Sequence, residues 1–491
     1  MFLSVAIFVL YLFHGGTVGL SDDEAYYWVL SRHPALGYAY HPPAVAWLIG
    51  LSQKILGPVF GQAHPVVVRF PAAACAAAVL WIAAEWLRSA GARREYAWAA
   101  GALVFALPGF GAMAWMTVPD LPLLLGWMLA FWGTWRVVSE DRPGAWAVGL
   151  GVCLAGLSKY SGVLVALSSA YCLWAWEPWS KAGENRRRAL GALILGGVLA
   201  LAPVLEWNAR HHWVSILYQI HDRHAGASWS FVRWGRFVLS QLIVAGPAVL
   251  VYFWILGRRV VTRKERGVSR YAVIWAAPPA AVYLLQPFWA DFKAHWPLVV
   301  WIPVVLDLAH RAALDLVTVG ERRLVRLHLA WGLTVTMLVI LACRFPVLAP
   351  WIRDPHQDPT NDLYGWSESL KGLSLADVPI VGGRYQTAAQ VAAAVAQLGG
   401  NPDRVTLIPK TYRDWDEWPH IEGVDAPQPA SVIWEWPTLT TPVFFVSDNQ
   451  HPGGPGFLGA DCHILQKNDV RRWSYAAKEI VVWSCQPIQS L

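Results

Sequence analysis

Long apolar runs recur through the first 350 positions of the chain, each broken by a short polar stretch. They lie at roughly 2–20, 65–87, 97–116, 120–138, 144–157, 160–176, 189–207, 237–256, 271–288, 296–310 and 327–345. A helix needs about 20 apolar residues to cross a bilayer, so the pattern predicts about eleven or more spans. From about Trp351 charged and turn residues become frequent and the apolar runs shorten. Val378 to Gly382 and Arg404 to Ile408 read as strands on either side of an Ala-rich helical stretch from Tyr385 to Leu398, a β-α-β pattern. Pro442 to Ser447 and Glu479 to Ser484 also read as strands. The expectation is an α-helical polytopic membrane domain over residues 1–350 and a small α/β domain over 351–491, with no internal repeat.

Charge gives the membrane domain a direction. Charged residues make up 15% of the chain, against about 25% in soluble proteins, and the mean hydropathy is +0.36. Alternate loops are basic: Arg88, Arg93 and Arg94; Arg136 and Arg142; Lys181 and Arg186 to Arg188; Arg258 to Arg270; Arg311 and Arg322 to Arg326. The positive-inside rule assigns these loops to the cytoplasm, and the other loops and the C-terminal domain to the outer face. The net charge of +6 therefore reflects topology and does not argue for nucleic acid. The first apolar run leads into acids, not a small-residue cleavage site, and is expected to be a span. The 31 Trp fit interfacial belts together with packed helix faces. Cys75, Cys153, Cys172 and Cys343 fall in apolar spans, whereas Cys462 and Cys485 lie in the polar tail and would be free to pair in an oxidising compartment.

The polar groups of the membrane domain gather on the outward side. Asp22, Asp23 and Glu24 follow the first span; three adjacent acids cannot share one face of a helix. Asp23 has two readings, a helix cap or a carboxylate placed to take a proton from an attacking hydroxyl. Asp120, in Thr117-Val118-Pro119-Asp120, is likewise a cap or a second site carboxylate. Lys159 interrupts an apolar run and either binds a phosphate as a point charge or reaches the interface. His41 precedes Pro42-Pro43. Arg210, His211, His212, Arg223 and His224 accumulate between Trp207 and Arg236, and Lys293 and His295 join the same face. A cationic surface of this kind meets anionic lipid headgroups. No His-Glu-x-x-His pair and no phosphate-binding Gly-rich loop is present, so neither a hydrolytic zinc site nor nucleotide hydrolysis is suggested.

Five ordered motifs carry a resemblance. They are Asp23-Glu24-Ala25-Tyr26-Tyr27-Trp28; Gly37-Tyr38 followed by His41-Pro42-Pro43; Pro119-Asp120-Leu121-Pro122; Leu157-Ser158-Lys159-Tyr160; and Trp207-Asn208-Ala209-Arg210-His211-His212-Trp213. With Gly383-Arg384-Tyr385-Gln386-Thr387 in the tail, the chain resembles the integral-membrane glycosyltransferases (GT-C type) of the dolichyl-phosphate-mannose-protein mannosyltransferase superfamily. It is most similar to their bacterial lipid A aminoarabinose and galacturonosyl transferase branch.

The resemblance implies an inverting transfer of a sugar from a polyprenyl-phosphate donor to a lipid A or other envelope glycan. The reaction would take place on the periplasmic face of the inner membrane. Asp23 and Asp120 match the acids of the first two outer loops and become the candidate catalytic residues. Glu24, Tyr26 and Tyr27 neighbour the base and are candidates for substrate binding. His41, Lys159, Arg210, Arg223, His224 and Lys293 are candidates for contacts to the substrates, chiefly the donor phosphate. Relatives place an acid before His/Lys-Pro-Pro where this chain has Tyr40; a divalent metal is therefore possible but not required, and no metal ligands are named. Two rival readings stay open: a protein acceptor, and a lipid-binding or lipid-flipping protein with no need for Asp23.

Overall fold

The computed structural model describes residues 2–140, 142–177, 183–220, 228–262, 265–347, 349, 351–352, 354–373, 378–407, 424–425, 438–450, 454–457 and 460–488. The helices in chain order are α1 (Phe2–Gly16), α2 (Asp22–Arg32), α3 (Ala44–Phe60), α4 (Pro65–Ser89), α5 (Arg94–Gly101) and α6 (Pro108–Met113). There follow α7 (Asp120–Glu140), α8 (Ala145–Ser158), α9 (Val163–Ala175), α10 (Glu184–Arg210), α11 (Val214–Ile220) and α12 (Phe231–Val244). The last six are α13 (Pro247–Thr262), α14 (Val268–Leu285), α15 (Leu298–Ala313), α16 (Val319–Ala342), α17 (Trp366–Leu370) and α18 (Tyr385–Gln397). Among the described residues five helices are long and apolar enough to cross a membrane, namely α4, α7, α10, α14 and α16. The bent pair α12–α13 would make a sixth, and α1, α3, α8 and α9 are shorter apolar helices.

Two of the expected spans are broken. The run 97–116 is split into α5, a 3-10 turn at Ala102–Ala106, and α6. Leu107 is extended (φ −71°, ψ 111°), the conformation that Pro108 imposes on the residue before it. The run 237–256 is cut at Gly246-Pro247. There Gly246 has φ +90°, a region open to glycine and costly for other residues, and the two helices meet at 104°. Proline at the first position of α13 needs no donor of its own.

The chain packs as two compact units. The first contains residues 1–11, 40–44 and 72–339. Its centre is aromatic: Phe131 lies 5.0 Å from Trp86 and 4.8 Å from Tyr271, ring to ring, and Trp127 meets Trp275 edge-on at 5.8 Å. Trp86, Trp115, Trp127, Trp275 and Trp301 are fully buried, whereas Trp81, Trp146, Trp174 and Trp254 are exposed, so part of the tryptophan content fills the bundle. Helices α7 and α8 approach backbone to backbone. A Cβ on Gly151 would lie 2.5 Å from the Gly126 carbonyl oxygen, and one on Gly126 would lie 2.6 Å from that of Gly151. Small residues permit this approach, and it lets dispersion hold helices together where lipid offers no hydrophobic drive.

The second unit contains residues 12–39, 45–71 and 340–491. Its sheet is built of β1 (Ile380–Gly382), β2 (Val405–Leu407), β5 (Val443–Asp448), β6 (Ala460–Arg472) and β7 (Tyr475–Pro487), in the order β2-β1-β5-β7-β6; β3 (Val424–Asp425) and β4 (Thr438–Leu439) pair separately. β1 is parallel to β2 and β5, whereas β7 is antiparallel to β5 and β6. Strand β1, α18 and β2 occupy the stretch read as β-α-β. Strand β6 is absent from the sequence reading because it is a polar edge strand, exposed at most positions. Cys462 and Cys485 stand opposite each other in the β6–β7 register and form a disulfide.

Replacing Gly151 by Val should force α7 and α8 apart at a cost of about 1–3 kcal/mol, the usual penalty of overpacking. The expected result is a lower unfolding temperature in detergent; an unchanged one would show that the close approach is not tight.

Candidate functional site

In the first unit the candidate chemistry collects where α7 begins and α8 ends. Pro119 leads into α7, whose first residue is Asp120, and that end of a helix favours a carboxylate. Helix α8 stops at Ser158, and Lys159 adopts an extended backbone (φ −157°, ψ 145°) before a short 3-10 turn at Tyr160–Gly162. The Gly126–Gly151 approach fixes the two helices that carry these residues. Lys159 Nζ consequently donates to Asp120 Oδ1 at 2.9 Å, with both side chains about nine-tenths buried. His295 Nε2 lies 3.5 Å from the same oxygen, and Lys159 Nζ lies 5.3 Å from the Trp296 ring centroid. A charge pair this enclosed is strong only because both partners are present; either alone would be an uncompensated buried ion.

Lys159 opens onto a cavity of about 330 Å³. Its lining includes the polar groups His41, Gln219 and Gln286 and the apolar ones Val163, Leu164 and Val282. Tyr160, Tyr283 and Trp296 also line it. The wall is braced from α10 and α11. Asn208 is fully buried and its Oδ1 accepts from the backbone N–H of Ile216 at 3.1 Å. The Tyr160 and Ser215 hydroxyls share a 2.5 Å hydrogen bond. Gln219 donates to the Tyr40 carbonyl at 3.0 Å, and the Tyr40 ring packs edge-on against Tyr218. Tyr40 is thus a packing group beside His41.

The second unit sorts the three adjacent acids. Ser21 caps α2, with its backbone N–H bonded to Glu24 Oε2 at 3.1 Å, a capping box. Glu24 is fully buried and paired bidentately with Arg69, Nε to Oε1 at 2.8 Å and Nη2 to Oε2 at 2.6 Å. Arg69 also donates to the carbonyls of Gly15, Val18 and Gly19. One guanidinium therefore ties the end of α1 to the start of α2. Asp22 Oδ1 accepts from Gln390 at 2.9 Å. Asp23 is the exposed member of the three.

The remaining candidates fall elsewhere. Glu24, Tyr26 and Tyr27, read as substrate neighbours, are buried in packing; Tyr26 sits edge-on to Tyr385 at 5.2 Å. Arg210 is exposed and pairs with Glu206 one helical turn away. Lys293 is exposed in the segment before α15. Arg223 and His224 lie outside the described residues. Among the described residues no three His, Cys, Asp or Glu side chains gather as a metal would need, and Asp120 Oδ1 already serves Lys159 and His295. Sequence reasoning missed Arg69 and Gln219, although a lone arginine in an apolar span is a strong signal by itself.

Known proteins resemble this chain in part of its sequence and in its fold. The model of the dolichyl-phosphate-mannose-protein mannosyltransferase family matches residues 40–207, a stretch that holds His41, Asp120 and Lys159. The lipid A galacturonosyltransferase RgtD of Rhizobium johnstonii is 27% identical over 295 residues, which is 57% of this chain and 58% of RgtD. The match thus spans less than two thirds of that relative's length. ArnT of Cupriavidus metallidurans superposes with TM-scores of 0.62 bound to undecaprenyl phosphate and 0.63 in the apo state. The identity is 13%, with 98% of this chain and 97% of ArnT covered; at that identity the likeness is one of fold.

Removing one half of the buried pair should destabilise the protein more than removing both. Asp120→Ala is expected to cost about 3–5 kcal/mol, and adding Lys159→Met to recover most of it. Unfolding in detergent measures this; additive losses would mean that the two side chains do not interact.

Proposed function

We propose that this chain is an integral-membrane GT-C glycosyltransferase that moves a sugar from a polyprenyl-phosphate donor to a lipid A or related envelope glycan. The observation that carries this reading is the Lys159 cavity, whose lining combines a lysine and hydrogen-bonding side chains with aliphatic ones. A lipid phosphate combines the same two kinds of group. The match to a lipid A galacturonosyltransferase and the fold shared with an undecaprenyl phosphate-bound ArnT support the same substrates.

The chemistry follows from the groups present. Asp23, exposed at the start of α2, takes the proton from an acceptor hydroxyl. The hydroxyl oxygen bonds to the anomeric carbon as the bond from that carbon to the phosphate oxygen breaks, and one displacement inverts the centre. Negative charge grows on the departing polyprenyl phosphate, where Lys159 and His41 meet it; Asp120, itself beside His295, holds Lys159 in place. Cations fixed before the reaction stabilise that charge without reorganising. The outer-face cations Arg210, Arg223, His224 and Lys293 serve lipid headgroups, and Arg210 or Arg223 also serves the phosphate. The domain division proposed is a catalytic membrane region over 1–350, of about eleven spans, and a periplasmic α/β region over 351–491. Basic alternate loops support this orientation in the inner membrane, and so does the Cys462–Cys485 disulfide, a bond of oxidising compartments.

Mass spectrometry of envelope lipids from wild-type, null and Asp23→Asn cells tests the proposal. One sugar should disappear from a defined glycolipid in both the null and the variant, with a loss of about 10²–10⁴-fold for removal of a general base. A null that loses the sugar beside a variant that keeps it would remove Asp23 as base. No change in either would favour a protein acceptor or a lipid-handling protein.

A further inference from the structure

The acidic helix α2 is held by residues that lie more than 300 positions away in the chain. Helix α18 packs along it within the second unit. Gln390, in the middle of α18, is 3% exposed amid Ala388, Ala389, Val391 and Ala392. Its amide donates to the Leu20 carbonyl at 2.9 Å and to Asp22 Oδ1 at 2.9 Å, with the Asp362 carbonyl at 3.3 Å. An amide buried in an Ala/Val helix is costly unless both N–H groups are satisfied, and here its acceptors flank the start of α2.

Other groups of the same region reinforce the hold. Arg32, at the end of α2, donates from Nη2 to both carboxylate oxygens of Asp403, at 2.8 and 3.0 Å. Gln397 donates to the Ala63 carbonyl at 3.0 Å. Lys478 of β7 is buried with its amine 4.1 Å from the Trp366 ring centroid. Burial pushes that amine down to about 8, against the pull of Asp22, Asp448, Asp362 and Glu368. Asp22 is thus held by Gln390 of the C-terminal region, and Asp23 is the next residue on.

We propose that Gln390 is a positioning residue for Asp23, so that the C-terminal α/β region is part of the reaction machinery and not a separate binding module. This rests on the reading of Asp23 as base. Gln390 touches no reacting atom; it sets the direction of the first turn of α2, from which the Asp23 carboxylate projects. A displacement of about 1 Å at a reacting group can lower a rate about 10²-fold.

The test uses the full-length protein in null cells. The readouts are the initial rate of sugar appearance on the glycolipid that the null strain lacks, divided by membrane protein level from immunoblots, and the unfolding temperature of the purified protein. Gln390→Leu should lower that rate about 10–10²-fold at near-normal protein level. The effects of residues that act as a unit are not additive, so Gln390→Leu should cost nothing further once Asp23→Asn is present. A wild-type rate in Gln390→Leu, or losses that multiply, would overturn the proposal. Asp23→Asn alone with a wild-type rate would overturn the base assignment instead. If Gln390→Leu fails to accumulate, Gln390→Met, which keeps the length of the side chain and removes its donors, takes its place; a wild-type rate in that variant would overturn the proposal.

Discussion

The Asp120–Lys159 pair is the constraint around which the first unit is arranged. Neither ion is tolerable alone in so enclosed a place, so the ends of α7 and α8 must meet and stay met. The glycine contact between these helices, eight residues before Lys159 and six after Asp120 by the numbering, makes that meeting geometrically possible. The pair leaves the ammonium beside an amphipathic cavity with its charge fixed in direction. Such a cation acts on a phosphate without waiting for solvent to rearrange.

The second unit solves a parallel problem with another buried pair. Arg69 and Glu24 are both fully buried, and the guanidinium spends its remaining donors on three carbonyls between Gly15 and Gly19. This makes the turn from α1 to α2 rigid. Glu24 is therefore a structural carboxylate, Asp22 is bound to Gln390, and Asp23 is exposed. Three identical-looking acids receive three environments from their neighbours in space.

Much of this was legible in the chain. The short motifs singled out His41, Asp120 and Lys159, which the first unit brings together around one cavity. The β-α-β start of the tail followed from its periodicity. What could not be read was which acid does what, since adjacent residues on a helix differ only in the partners that tertiary packing brings. Arg69 lies 45 positions from Glu24 and Gln390 lies 368 from Asp22, separations that no local pattern records. The breaks at Pro108 and Gly246-Pro247 carried a local signal, Pro and Gly within an apolar run, which the search for long spans overrode. Strand β6 escaped because an exposed edge strand has no apolar alternation to find.

The most direct test of the account is whether Lys159 holds a lipid phosphate. Undecaprenyl phosphate binding to the purified protein in nanodiscs, followed by native mass spectrometry, can be compared between wild type and Lys159→Met. A charge-assisted hydrogen bond of about 1.5–3 kcal/mol predicts binding weaker by about 10–10²-fold in the variant. Equal affinity in the two proteins would contradict the account, because the cavity would then have no phosphate to recognise.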